Sequence, residues 1–142
     1  MSKLYHIGFL PGSYDLFHIG HLNILRNSKK MCECLIVGVL TDELVKYFKG
    51  KAPYIPFAER IAIVKDIKYV DEVIEINYGN VGKMDAWRQL HYDCHFAGSD
   101  HRSDFIAEKM QLEAVGAEMV FLPYTISTSS TQIKQLIEKS LL

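Results

Sequence analysis

Tyr5-His6-Ile7-Gly8-Phe9-Leu10-Pro11-Gly12-Ser13-Tyr14-Asp15-Leu16-Phe17-His18-Ile19-Gly20-His21 is the stretch that decides how this chain reads. Tyr5 to Leu10 is an apolar run of strand length. From Leu16 to Met31 the apolar residues Leu16, Phe17, Ile19, Leu22, Ile24 and Leu25 recur at helical spacing. A strand therefore passes through a glycine turn into a helix. Gly12 permits a tight turn and close backbone approach. The amides of Ser13 and Tyr14 could face a phosphate, which a helix N-terminus also favours. His18 and His21, three apart, share one helix face. Gly20 between them removes a side chain where a flat base or ribose could lie. Two imidazoles on a first turn are poor core material and good donors to phosphate oxygens. The plainer alternative is a capped helix with two surface histidines; the company of Gly12, Asp15 and Gly20 favours the phosphate.

Outward from this stretch the pattern alternates. Cys34 to Leu40 is a fully apolar strand, and continuous apolar character suits a parallel strand covered on both faces. A lysine-rich polar segment, Thr41 to Pro56, follows. Ala58 to Ile67 reads as helix, Glu72 to Ile76 as strand, Asp85 to His91 as helix and His95 to Ala97 as strand. Ser103 to Val115 is helical and stops at Gly116, Met119 to Leu122 is a strand, and Ser130 to Leu141 a final helix. This rhythm predicts an α/β fold, a Rossmann-like, doubly wound, mostly parallel sheet in a single domain. Ligands of such sheets bind beyond the carboxyl ends of the strands, where the strand order reverses.

The chain has 142 residues, 49% hydrophobic and 23% charged, with a net charge of −1. That size fits one domain with a real core, and the charge argues against a broad DNA or RNA footprint. A locally basic pocket for a small anion remains open. No apolar run is long enough for a membrane span, and the first residues lack a signal peptide's apolar core. Three cysteines, Cys32, Cys34 and Cys94, with no CxxC pair, argue against a disulfide framework and predict reduced thiols in a cytoplasmic protein. No metal-ligand set is expected.

Gly12-Ser13-Tyr14-Asp15 followed by His18-Ile19-Gly20-His21 resembles the signature of the HxGH nucleotidyltransferase superfamily. Asp15-Leu16-Phe17-His18 resembles its cytidylyltransferase branch. The resemblance extends to Leu40-Thr41-Asp42-Glu43, Glu59-Arg60, Tyr69 to Ile74, Gly98-Ser99-Asp100 and Ser129 to Lys134, and so covers nearly the whole chain. It implies that Gly12, Ser13, Tyr14, Asp15 and Gly20 form the nucleotide site, with Asp15 ordering the turn. Asp42 and Asp100 would lie by the nucleoside, and Ser129, Ser130 and Thr131 would meet the phosphates at a helix start. His18 and His21, with Lys49 and Lys51, would carry catalysis, and Arg60 would bind the phosphate of an acceptor. It further implies CTP and a phosphorylated small alcohol as substrates, Mg²⁺ held mainly by the nucleotide phosphates, and a homodimer. Where the family's closing motif begins with an arginine, this chain has Tyr124. The missing charge could come from Lys134, Arg102 or Lys51.

Plainer readings stand beside these. Lys46, Lys49 and Lys51 could be a solvated face, Arg60 an ion pair, and Ser127 to Thr131 only a helix cap. Trp87, His91 and His95 read as packing residues. Asp71 reads as structural, at a strand entrance or a subunit contact. Tyr47, Phe48, Tyr54 and Phe57 could cage a quaternary ammonium acceptor. Other acceptors, an adenylyl rather than cytidylyl transfer, and a binding module without turnover are the remaining alternatives.

Overall fold

The computed structural model describes residues 3–123 and 130–141. Five strands, β1 (Tyr5–Gly12), β2 (Cys32–Leu40), β3 (Glu72–Ile76), β4 (Cys94–Gly98) and β5 (Glu118–Leu122), form one sheet in the order β3-β2-β1-β4-β5. Every pairing is parallel. Parallel neighbours need crossover connections, and these are right-handed almost without exception. Winding leftwards from β1 and then rightwards from β4 therefore puts the connecting helices on opposite faces.

The packing follows that rule. Leu25 of α1 (Ile19–Met31) and Val64 of α3 (Phe57–Lys65) join Leu10, Leu35, Val37, Val39 and Phe96 in one apolar cluster. Ala86 of α4 (Lys83–Leu90) and Leu112 of α5 (Ile106–Ala114) join Phe9, Ile36, Ile76 and Met119 in a second. Leu10 and Phe9, adjacent in β1, thus feed opposite faces, as the two-residue strand period requires. Continuous apolar strands read correctly as doubly covered ones.

The lysine-rich segment, read as polar, holds a helix, α2 (Asp42–Lys49). Thr41 caps it by accepting from Leu44 N–H at 3.3 Å, Asp42 and Glu43 sit in its first turn, and Lys46 and Lys49 in its last, which suits the helix dipole. Gly50, at φ 77, ends it in the left-handed conformation that glycine adopts without strain. The helix expected from Ser103 begins only at Ile106, after a short 3₁₀ turn at Ser99–His101. The final helix is α6 (Ser130–Ser140). Among the described residues no helix is long and apolar enough to cross a membrane.

Candidate functional site

The sheet order reverses between β1 and β4, and a cleft of about 380 Å³ opens beyond the carboxyl ends of those strands. Its walls include Gly12, Ser13, Tyr14, His18, Gly20 and His21 from the first crossover, with Lys49 from α2. His95, Ala97 and Gly98 from β4 face them, with Asp100 beyond and Thr131 from α6. The sequence's most informative stretch therefore lines one side of the switch-point cleft.

The turn differs from expectation in one respect. Its left-handed backbone falls at Tyr14 (φ 55) and Leu16 (φ 50), and Gly12 is simply the last residue of β1. A Cβ at Gly12 would sit 3.0 Å from the Tyr14 ring, so what the glycine supplies is room for that ring to fold back. Holding non-glycine residues at positive φ costs about 1 kcal/mol each. The surroundings hold them there: the buried Tyr14 hydroxyl donates to Leu10 O at 3.2 Å, and the buried Asp15 carboxylate accepts from Tyr54 and Ile55 N–H at 2.9 Å each. Lys134 Nζ lies 3.2 Å from Asp15. These hydrogen bonds and this cation keep the Asp15 carboxyl below its ordinary pKa although burial opposes them. Asp15 thus orders the turn and binds the 53–55 loop to it.

The helix expected from Leu16 starts at Ile19, because His18 is its N-cap. His18 Nδ1 accepts from Gly20 N–H at 3.0 Å, and His21 Nδ1 accepts from His18 N–H at 3.2 Å. This is a capping box built from two imidazoles in place of the usual Ser/Thr and Glu/Gln. It fixes the tautomer: an Nδ1 that accepts carries no proton, so in each neutral ring the N–H is on Nε2. The rings stand 3.9 Å apart, and Tyr14 and Phe17 pack on His21. Burial lowers the pKa of His18, and burial, then the repulsion between the two rings if both were protonated and the Lys49 charge, pushes His21 down to about 3. Both are neutral donors on the cleft wall.

Lys49 Nζ reaches Ser13 Oγ at 3.1 Å, and its pKa is lowered by burial and then by the Lys134 charge. Lys51 is elsewhere, exposed and 3.3 Å from Glu138, so the two lysines do not act as one set. Arg60 departs most from expectation. It is 1% exposed, and its guanidinium donates to Ile55 O at 2.8 Å, Ser13 O at 2.6 Å and Asp42 Oδ1 at 2.7 Å. Its donors hold the turn from beneath and are directed at protein oxygens, so the residue is a strut for Ser13 and does not present a phosphate site. Asp42 is its partner and does not line the cleft. Gly20 and Asp100 do. Ser129 and Tyr124 lie outside the described residues; Ser130 opens α6. Of the cations offered in exchange for an arginine at Tyr124, Lys134 is by the turn, while Arg102 lies over Phe121, away from the cleft.

Other readings resolve as follows. Asp71, at the entrance of β3, accepts from Lys29 Nζ and from Leu35 N–H of β2 and is structural. Trp87 and His91 pack ring against ring. The four rings offered as an ammonium cage face different partners: Phe57 packs on the core with Arg60 over it, Lys134 lies over Tyr54, and Tyr47 meets Phe48 edge to face. Among the described residues no three His, Cys, Asp or Glu side chains converge as a metal site. Lys83 and His101 line the cleft and were not singled out in the sequence. His101 follows the Gly98-Ser99-Asp100 motif at the end of β4, whereas Lys83 sits in no motif and only the fold brings it to β4.

Comparison with known proteins completes the picture. The family model described as cytidylyltransferase-like matches residues 9–136. A glycerol-3-phosphate cytidylyltransferase of Staphylococcus aureus is 35% identical over 127 residues, covering 87% of this chain and 89% of the relative. An FAD synthase of Pyrococcus horikoshii is 32% identical over 130 residues, covering 90% and 87%. The fold matches that of a lipopolysaccharide core biosynthesis protein from Thermoplasma volcanium with a TM-score of 0.72 at 23% identity, covering 87% of this chain and 99% of that one. With the HxGH turn at the switch-point cleft and a family model spanning nearly its whole length, the chain belongs to the cytidylyltransferase-like family of nucleotidyltransferases.

Proposed function

We propose that the protein transfers CMP from CTP to a phosphorylated small alcohol, glycerol 3-phosphate first, giving CDP-glycerol and pyrophosphate. The observation that carries the reading is the pair of tautomer-fixed imidazoles at the start of α1, on the wall of the switch-point cleft beside Lys49. The acceptor's phosphate is already an anion, so no base is needed to activate it. Its oxygen attacks the α-phosphorus in line and pyrophosphate leaves on the opposite side. The chain's task is alignment and charge stabilisation. The Nε2–H groups of His18 and His21 donate to the phosphate oxygens that gain charge. Lys49 neutralises the leaving pyrophosphate, and the α6 start meets its far end. Mg²⁺ would enter on the triphosphate and neutralise it; such an ion takes most of its oxygens from phosphate and water.

Similarity to FAD synthases supports a second reading of the same chemistry, with ATP as donor and a flavin phosphate as acceptor. Either reading suits a cytoplasmic enzyme, and the family likeness suggests a homodimer, which light scattering checks. The function is tested by pyrophosphate release from CTP and from ATP against glycerol 3-phosphate, phosphocholine, phosphoethanolamine and FMN. Release with CTP and glycerol 3-phosphate alone supports the first reading. Release with ATP and FMN replaces it by the second, and release with no pair refutes both.

A further inference from the structure

The wall of the cleft opposite the histidine pair carries polar groups that the transfer chemistry does not use. His95, the second residue of β4, is 1% exposed and lines the cleft. Phe9 and Tyr92 pack on its ring edge to face. Neither ring nitrogen has a hydrogen-bond partner. Burial and the nearby Lys83 charge push its pKa down to about 3, so the ring offers one N–H and one lone pair, both unsatisfied. A buried polar group without a partner costs about 1–3 kcal/mol, whereas an apolar group of the same shape there costs nothing of the kind. Lys83 lines the same wall at the first position of α4, where a cation opposes the helix dipole. Among the described residues no carboxylate lies within ion-pair distance of it, although the Glu108 charge acts on it from further away, and its ammonium rests 3.6 Å over the Phe105 ring. Two donors without hydrogen-bond acceptors among the described residues thus line the same cleft, close enough that the Lys83 charge acts on the His95 ring, and Gly98 and Asp100 line it with them.

We propose that this end of the cleft reads the nucleobase, and that His95 and Lys83 donate to two adjacent acceptors on its edge, the N3 and O2 pattern of cytosine. The inference rests on the nucleotide-transfer reading and adds what selects the nucleotide. Adenine offers no such pair: the exocyclic amine separates N1 from N7, and N1 and N3, though both flank C2, point their lone pairs onto different edges. Guanine does, at O6 and N7, so GTP is the informative competitor. His95 lines the cleft, and both its ring nitrogens are shielded from solvent. The bond forms as the ring turns toward the base and Lys83 leaves the Phe105 face. A site built to satisfy a buried polar group rejects ligands that leave it unpaired.

The test measures binding of CTP, ATP, GTP and inorganic tripolyphosphate by calorimetry, without acceptor, for the wild type, His95→Phe and Lys83→Met. The expected result is that the wild type prefers CTP. His95→Phe loses about 10-fold or more of CTP affinity, the loss expected from one donor to a polar ligand edge, while tripolyphosphate binding and thermal stability hold or improve. Lys83→Met moves in the same direction. Unchanged CTP affinity in His95→Phe overturns the proposal, as does an equal loss of tripolyphosphate binding or a wild-type preference for ATP or GTP. Because no acceptor is present, a protein that binds CTP through His95 yet transfers nothing refutes the transfer reading and leaves this one standing.

Discussion

Replacing Arg60 with methionine should destabilise the protein before it affects any substrate. The guanidinium is sealed from solvent, and two of its three hydrogen bonds go to backbone oxygens, Ile55 O at 2.8 Å and Ser13 O at 2.6 Å. Charge-assisted bonds of this kind contribute about 1.5–3 kcal/mol each. The third goes to Asp42, whose side chain is 48% exposed and can turn into water, so that ion pair adds about 1 kcal/mol or less. The sum is about 3–7 kcal/mol. For a domain of this size it lowers Tm by roughly 10–25 °C. Arg60→Lys keeps the charge but cannot reach three acceptors with one ammonium, and should recover only part. Urea denaturation of both variants beside Asp42→Ala, expected to lose about 1 kcal/mol, measures each share. Unchanged stability in Arg60→Met, with a raised KM for the phosphorylated acceptor alone, would refute the strut and restore the acceptor site implied by family resemblance.

Other perturbations have equally definite outcomes. His18→Ala and His21→Ala should each lower kcat by about 100-fold or more, since both remove a donor to charge that develops in transfer; stopped assays with saturating substrates read this. Each should also cost about 1 kcal/mol of stability, because the imidazoles form the helix cap. Lys49→Ala should weaken nucleotide binding severalfold, and Lys51→Ala, an exposed pair with Glu138, should change it little; equal effects would misplace the phosphates. His21 and His95 have folded pKa values of about 3, below the unfolded imidazole. The unfolded chain binds those protons first, so stability is unaffected above about pH 7 and falls as pH drops from about 6.5 toward 3, by at most ~1.4 kcal/mol per pH unit for each ring. Urea titrations at several pH values should show a shallower fall in His95→Phe; an identical slope would mean that His95 protonates freely in the fold.

Legibility in the sequence followed the range of the interactions. Continuous apolar strands and helical periodicity record burial that repeats every two or three to four residues, so the alternation of strands and helices was readable, and with it the parallel sheet and the switch-point cleft. Boundaries set by single hydrogen bonds were not. The start of α1 depends on two imidazoles acting as caps, and a helical pattern running back to Leu16 concealed it. Local motifs led correctly to the Gly12 to His21 turn as a wall of the cleft. They misjudged Arg60, because nothing in Glu59-Arg60 tells that the chain returns to place Ser13 O and Asp42 within its reach. His95 read as packing, and its ring is packed; the two nitrogens left without partners emerge only when β4 is placed in the sheet. Lys83 likewise becomes a cleft residue only through the crossover from β3 to β4.

The central claim is that the acceptor's own phosphate oxygen attacks the α-phosphorus at this cleft. Phosphorus NMR of a reaction containing CTP, Mg²⁺ and glycerol 3-phosphate labelled with ¹⁸O in its phosphate tests it most directly. The account predicts a diphosphodiester appearing in step with pyrophosphate, one for one, with the label in the bridge between the two phosphorus atoms, and neither product with His18→Ala beyond a trace. Formation of CMP or CDP without the diester, or a bridge free of label, would contradict it.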